Sequence, residues 1–401
     1  MDADMWASLP LDLLIEIFRH LGATAVVRSA GAPFLHPLPD SFNPNLLIGF
    51  FHKSRFYGPR SHVWLEYVPG PFEDVLAGDD TTDALWYTPH NRTVRLSTAD
   101  GAIDIAAYNN PLTSRDGLLL LGRSTPVKDL CLCTPLAGSC RIIPAAVFTA
   151  PMYVLVTGYD YNSPATGAGD DHMVVWILAV EKEADVTDGV GYQVFFSKSG
   201  EWGPVRRSAK LVHEEMAMAR PVYVAGKSSD VAVCQGSVVY WLVTLVEHHQ
   251  IRRRMFSMDL RTEQTWTTEL PEKYVDIRSD YRRIVPATSM DGQLLLIIQL
   301  RDQTTIEVWV LIGDGQCNLQ RKMDLQSLPI PDLVKEGQLL PEIKGFCSRS
   351  CCLFGSINYK DLLIDMNTAS LRPAGRFGVG SVNKFPYEMD WSTYISRMNY
   401  F

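Results

Sequence analysis

The side chains best equipped for chemistry in this chain are its cysteines. Six of the eight fall in two groups, Cys131, Cys133 and Cys140 in one and Cys347, Cys351 and Cys352 in the other. A structural zinc site needs paired thiolates at C-x-x-C spacing, or a histidine partner at zinc-finger spacing, and neither group offers these. Cys131 and Cys133 alternate along the chain, so on a strand they share one face and read as small buried apolar side chains. His248 and His249, beside Glu247, would supply half a metal site. Adjacent strand residues point to opposite faces, however, so the two imidazoles diverge unless the backbone bends. The polar run from Asp160 to His172 lacks the carboxylate spacing of a calcium loop and the Lys-Ser or Lys-Thr that closes a phosphate loop. It reads as a long connection between strands. No G-x-S-x-G nucleophile turn occurs. No metal, no cofactor and no catalysis are expected; the chain is expected to act by binding.

Composition narrows what it binds. Of 401 residues, 46% are hydrophobic and 20% charged, and the formal net charge is -8, the profile of an ordinary globular protein. The acidic balance and the lack of a concentrated basic block argue against nucleic acid as the main partner. Arg252-Arg253-Arg254 is the one basic run and reads as a solvated loop or strand end. No uninterrupted apolar run reaches the length of a membrane span; Ile142 to Val156 is cut by Pro144 and Pro151. The start Met1-Asp2-Ala3-Asp4 is acidic where a secretory signal is basic. Thiols in such a chain are expected to stay reduced, in the cytoplasm and/or the nucleus.

The elements that position these residues are strands. After about residue 60, short runs of Val, Leu, Ile, Tyr, Phe and Trp alternate with Gly, Asp, Asn and Ser clusters. Examples are Val231–Cys234, Ser237–Val243 and Thr305–Leu311. Val212 to Ala219 is the only helical suspect. A turn followed by an apolar strand recurs at Ser114–Leu121, Gln235–Leu242 and Met290–Ile297, the last two about 55 residues apart, the size of a kelch-like blade. A second unit, a strand ending at Asp before a polar turn, recurs at Phe256–Trp266 and Leu362–Ser370. These repeats predict a β-propeller of about six blades, with a β-sandwich pair as the competing architecture. Trp64, Trp86, Trp176, Trp202, Trp241, Trp266 and Trp309 lie in or beside strand-like runs. Most are expected between blades, with a few left as anchors for a partner peptide.

The N-terminus has a different texture. On a helical period Leu14, Ile17, Phe18 and Leu21 share one face, and Leu11 and Ile15 fall beside them. Pro10 suits the first turn, Asp12 the positive helix end, and Gly22 a C-terminal stop. A helix this short and this apolar is not stable alone and must bury itself against its own chain or another protein.

The pattern L-P-x-D-L-L-x-E-I-F-x-x-L from Leu9 to Leu21 resembles the opening of an F-box. That is the helical module by which substrate receptors dock on the Skp-type adaptor of cullin–RING ubiquitin ligases. Ala23 to Gly31 resembles the second F-box helix of a large grass family. The family then continues with a Cys-Lys-x-Trp-Arg segment; here Ala32 runs into Pro33-Phe34-Leu35-His36-Pro37, and Asn43 to Phe51 resumes the family's next block. The resemblance therefore implies an F-box truncated after its second helix, with Leu9, Pro10, Leu14, Ile17, Phe18, Leu21 and Val27 as adaptor contacts or module core. Ser114–Leu121, Cys131–Gly138, Phe195–Trp202 and Gly236–Leu242 resemble the F-box-associated β-domain of plant proteins.

The implied organisation is a mainly β chain opened by a short α-helical segment. F-box-like helices occupy residues 1–32, a linker and lead-in strand 33–60, and a propeller-like substrate-binding domain 61–395. The implied function is that of a substrate receptor that holds the adaptor, and through it a cullin, with its helices and an unknown target protein with its propeller. The alternative is a propeller interaction module that has lost ligase docking.

Overall fold

The structure, a computed structural model, describes strands and their tighter connections between residues 47 and 388. Residues 1–46, 70–94, 159–174, 209–219, 329–340, 374–383 and 389–401 lie outside the described residues, as do several shorter connections and some strand side chains. The F-box-like helices expected at 1–32, the helical suspect at Val212 to Ala219 and the polar run at Asp160 to His172 all fall there. So do His248 and His249.

The described residues are mainly β, in two compact units. The first unit holds residues 1–145 and 378–401. Its larger sheet begins with a meander, Asn110–Arg115, Leu118–Gly122, Asp129–Thr134 and Ser139–Pro144, which is the first blade. The Asp116-Gly117 turn that starts it has φ of 48° and 76°. Positive φ at both central residues is the turn whose twist matches the flanking strands, which is why Asp-Gly marks the hairpin. The hairpin Arg95–Thr98 and Gly101–Asp104 extends this sheet through a parallel pairing of Ser97 with Ser139. The smaller sheet has Leu47–Arg55 at its centre, between Val63–Pro69 and Lys384–Glu388. The amide of Gly117 donates to the carbonyl of Glu388 at 2.7 Å, and the Tyr387 hydroxyl donates to the carbonyl of Gly117 at 3.1 Å.

The second unit, residues 146–377, contains four further blades. The second blade runs Met152–Thr157, Val175–Val180 and Gly191–Phe196, with Glu201–Trp202 and Arg206–Arg207 both pairing with its outer strand. The third is built on Arg220–Val224, Val238–Glu247, Gln250–Asp259 and Thr265–Glu269, with Glu183–Ala184 and Val231–Cys234 added. Tyr281–Thr288, Leu294–Leu300, Thr305–Ile312 and Gln316–Asp324 form the fourth. Glu342–Cys347, Cys352–Ile357, Lys360–Asp365 and Ser370–Pro373 form the fifth.

Among the described residues there are thus five blades, not the six or so expected from length. Dividing the chain by one repeat counts its ends as repeats. Instead, Leu47–Arg55 pairs with both Val63–Pro69 and Lys384–Glu388 in the three-stranded sheet, and the hairpin of Arg95–Thr98 and Gly101–Asp104 widens the first blade. The basic run also differs from expectation, since Arg252, Arg253 and Arg254 lie inside the strand Gln250–Asp259.

Within the second unit each blade packs face to face on the next. Val154, Val156 and Leu178 of the second blade meet Val239, Trp241 and Phe256 of the third. Leu242 and Met255 of the third meet Ile284, Leu296 and Ile298 of the fourth. Val285, Ile297 and Val308 of the fourth meet Leu353, Leu362 and Ile364 of the fifth. A strand covered on both faces need not alternate apolar with polar, so Leu294–Ile298 reads as a continuous apolar run and the strand is buried along almost all its length.

The recurring Asp before a turn has a specific role. Asp259 Oδ1 accepts from the amides of Arg261 and Thr262 at 2.7 and 3.4 Å, and Asp365 Oδ1 from those of Asn367 and Thr368 at 2.8 and 3.1 Å. Each turn then leaves a non-glycine residue in the left-handed region, Glu263 at φ 57° and Ala369 at φ 52°. That conformation strains an L-residue with a Cβ. Ala369→Gly is therefore expected to stabilise the chain by about 0.5–1 kcal/mol, because relief of strain outweighs the added unfolded-state entropy. Chemical denaturation checks it; a lower midpoint would show the turn unstrained.

Candidate functional site

The most concentrated polar and aromatic cluster among the described residues lies where the third blade meets the fourth. After the outer strand Thr265–Glu269, Pro271 turns the chain into the short 3-10 segment Glu272–Tyr274, with the Tyr274 amide donating to the Pro271 carbonyl at 2.7 Å. This sets Lys273 and Tyr274 against the strand Thr305–Ile312. On that strand Glu307 and Trp309 are two residues apart and share a face.

The Glu307 side chain is 4% exposed. Its carboxylate accepts from the Tyr274 hydroxyl at 2.5 Å, from Trp309 Nε1 at 3.0 Å and from Lys273 Nζ at 3.1 Å to each oxygen. The Lys273 ammonium also lies 4.7 Å from the centre of the Tyr274 ring and 5.8 Å from that of Trp309, and the two rings meet edge to face at 6.2 Å. Burial pushes the Glu307 carboxyl up, but the hydrogen bonds from Tyr274, Lys273 and Trp309 outweigh it and hold the group below its usual range.

Chemically, this carboxylate is saturated. Its oxygens are taken by hydrogen bonds from three side chains, and those bonds favour its ionised form. What the cluster offers is a surface. Lys273 is 54% exposed, Trp309 is half-buried, and Trp266 is 39% exposed while stacking edge-on against Tyr240. Tyr240 and Trp309 pack on the same apolar cluster between the two blades. Ile312 and Leu319 on the outer hairpin of the fourth blade are exposed as well. Rigid Trp and Tyr anchors are the side chains that dominate protein-binding energetics.

A pH dependence follows from the buried carboxylate. Its folded-state affinity for protons is depressed relative to the unfolded value of about 4.3. Its stabilising contribution is complete above that value and is lost as pH falls through the folded pKa. Glu307→Gln should therefore lower the thermal midpoint at about pH 7, and the gap to wild type should shrink near about pH 3. Thermal melts of both proteins at the two pH values check this; a gap that widens in acid would refute the assignment.

The sequence-predicted positions fare differently. Leu9, Pro10, Leu14, Ile17, Phe18, Leu21 and Val27 lie outside the described residues. Cys131 and Cys133 share a buried face as expected, and Cys140 is the direct partner of Cys133 across the strands. Cys133 Sγ donates to the Leu119 carbonyl at 3.3 Å. A hydrogen bond with Cys133, and then burial, hold the Cys131 thiol well above its ordinary pKa, and the bond to Cys131 with burial does the same for Cys140. Among the described residues no group of three or more His, Cys, Asp or Glu side chains is arranged to hold a metal ion.

Of the tryptophans, Trp241 is fully buried, Trp176, Trp202 and Trp309 are half-buried and Trp266 is exposed. The side chains of Trp64 and Trp86 lie outside the described residues. Sequence reading missed Glu307, Lys273 and Tyr274. A signal existed: Glu307 interrupts the apolar run Thr305-Ile306-Glu307-Val308-Trp309, and a charge in a strand buried on both faces must find partners.

Comparison with known proteins completes the picture. Residues 100–318 match the family model of the F-box associated beta propeller domain. No curated protein matches the chain. Among solved structures, the WD40 domain of SCAP from fission yeast aligns with 9% identity and a TM-score of 0.30, over 71% of this chain and 57% of that one. A chain of the mitotic checkpoint complex aligns with 11% identity and a TM-score of 0.30, over 71% of this chain and 70% of that one. The present chain thus spans little more than half the length of the fission yeast one. The family match covers more than half of the chain and takes in the first three blades and most of the fourth: the chain belongs to the F-box associated beta propeller domain family.

Proposed function

We propose that this protein is the substrate receptor of a Skp–cullin–F-box type ubiquitin ligase. The propeller captures a target protein, and the N-terminal segment docks on a Skp-type adaptor and through it on a cullin. The family match carries this reading, since the domain is named for its association with an F-box. The pattern from Leu9 to Leu21 supports it from the other end of the chain. The receptor catalyses nothing. It raises the effective concentration of the target's lysines near a ubiquitin-conjugating enzyme. The aromatic and lysine surface around Trp266, Lys273 and Trp309 has the composition of a protein-binding site. Nucleic acid and membrane are not partners in this reading, and the protein works in the cytoplasm and/or the nucleus.

One observation favours a second reading, a propeller module that binds partners without a ligase. The F-box pattern breaks after Ala32, where Pro33 to Pro37 replace the expected helical segment. Cells expressing the full chain or Ile17→Asp, compared by ubiquitin-remnant mass spectrometry, separate the two. The receptor reading expects proteins that co-purify with both forms to gain ubiquitin only with the wild type. Equal ubiquitination with both forms would leave the module reading standing.

A further inference from the structure

The hairpin that opens the fifth blade joins Glu342–Cys347 to Cys352–Ile357, and Cys347 and Cys352 are direct partners in its register. A third cysteine, Cys351, occupies the turn between them, with φ 51°. All three are present as thiols. Residues opposed across an antiparallel pair have Cα atoms about 4.5–5.5 Å apart, inside the span of about 4.4–6.8 Å that a disulfide bridges. Their side chains leave the sheet on the same face.

We infer that this hairpin tip is a modification site for a peroxide, which joins Cys347 to Cys352 in a cross-strand disulfide. The two thiols differ in access: Cys347 is 0% exposed and Cys352 is 8% exposed. Cys352 also lies at the turn, where its Sγ contacts the Ser350 carbonyl at 3.2 Å. Cys352, having released its proton, attacks one peroxide oxygen. The S–O bond forms, the O–O bond breaks, and the departing hydroxide takes up a proton and leaves as water. The Cys347 sulfur then attacks the sulfenic sulfur. The S–S bond forms, the S–O bond breaks, and hydroxide leaves with the Cys347 proton as a second water. Two thiols have lost two electrons to one peroxide. Cys351 stands outside the strand register, and a bond to its neighbour Cys352 would have to distort the peptide between them. The ring closed by the disulfide contains only residues 348–351 between the two cysteines, so it removes little chain entropy and acts by fixing the hairpin tip.

The first blade supplies an internal contrast. Cys133 and Cys140 are likewise buried and directly opposed, but the pair Thr134 and Ser139 separates them from their turn, and hydrogen bonding with burial keeps Cys131 and Cys140 protonated. Thiols that withhold the thiolate react slowly.

Peptide mapping of the full chain tests this. Trypsin cuts after Lys344, Arg349 and Lys360, so residues 345–349 and 350–360 separate unless a disulfide joins them. The reduced protein is treated with hydrogen peroxide, blocked with N-ethylmaleimide in denaturant, digested and fragmented in the mass spectrometer. The expected result is a linked pair whose fragments assign the bond to Cys347 and Cys352, while Cys131, Cys133 and Cys140 carry maleimide. The link should survive in Cys351→Ser and vanish in Cys352→Ser. Unlinked peptides carrying sulfinic or sulfonic acid, a bond assigned to Cys351, or a link retained in Cys352→Ser would each overturn the inference. The wild-type fragment spectrum decides by itself if a variant does not fold.

Discussion

Trp241→Ala is expected to destabilise the protein by about 3–5 kcal/mol. Trp241 is among the largest fully buried side chains, and its ring centre lies 4.6 Å from that of Phe256 on the neighbouring strand. Around them, Val154, Leu178 and Tyr192 of the second blade close over the third. Alanine leaves a void bounded by two blades, and sheets held by their own ladders cannot collapse into it. The indole Nε1 has no hydrogen-bond partner among the described residues. Trp241→Phe removes that unpaired donor along with part of the volume, so it should cost much less, about 1–2 kcal/mol. Chemical denaturation of both variants reads the difference. Equal losses would mean that the larger void left by alanine adds nothing to the cost.

Gln299→Leu should cost about 2–6 kcal/mol although it replaces a polar side chain with an apolar one of similar size. Gln299 is buried on the second strand of the fourth blade. Its Nε2 donates to the Pro341 carbonyl at 2.5 Å, and its Oε1 accepts from the Ile343 amide at 3.1 Å. One side chain thereby satisfies two backbone groups at the start of the fifth blade. Leucine strands both, at about 1–3 kcal/mol for each buried group. Gln193 makes a similar link in the second blade, donating to the Gly203 carbonyl at 2.8 Å and accepting from the Val147 amide at 3.3 Å. There the neighbouring Val147 and Val205 are exposed, so water can replace part of what is lost. Gln193→Leu should therefore lower the denaturation midpoint less than Gln299→Leu. The reverse order would contradict the role given to burial.

The legible parts of the fold were those written in local chemistry. Asp116-Gly117 announced its hairpin because both residues adopt positive φ, and Asp259 and Asp365 marked equivalent turns because each carboxylate caps two amides of its own loop. Strand runs such as Leu294–Leu300 could be read from apolar character alone. Blade number could not, because the pairing of Leu47–Arg55 with Lys384–Glu388 joins residues from opposite ends of the chain. No local pattern encodes such a partner. The Glu307 cluster was half legible: the misplaced charge was visible, but Tyr274 and Lys273 reach it from the preceding blade. Gln193 and Gln299 were not legible at all, since a glutamine in an apolar run has no spacing to betray which backbone groups it serves.

Isothermal titration of the full chain with a Skp-type adaptor tests the central claim most directly. Burying a Leu or Ile side chain contributes roughly 1.5–3 kcal/mol. If the N-terminal segment docks as proposed, Leu14, Ile17, Phe18 and Leu21 are expected to give measurable affinity even without the segment that normally completes an F-box. Ordering that face on binding offsets part of the gain, so the affinity should be weaker than that of a complete F-box protein titrated alongside. The account predicts saturable binding of one adaptor per chain, abolished by Ile17→Asp and by Leu14→Asp in variants that keep the wild-type melting transition. Absence of binding at the highest soluble concentrations, or binding that Ile17→Asp leaves unchanged, would contradict it.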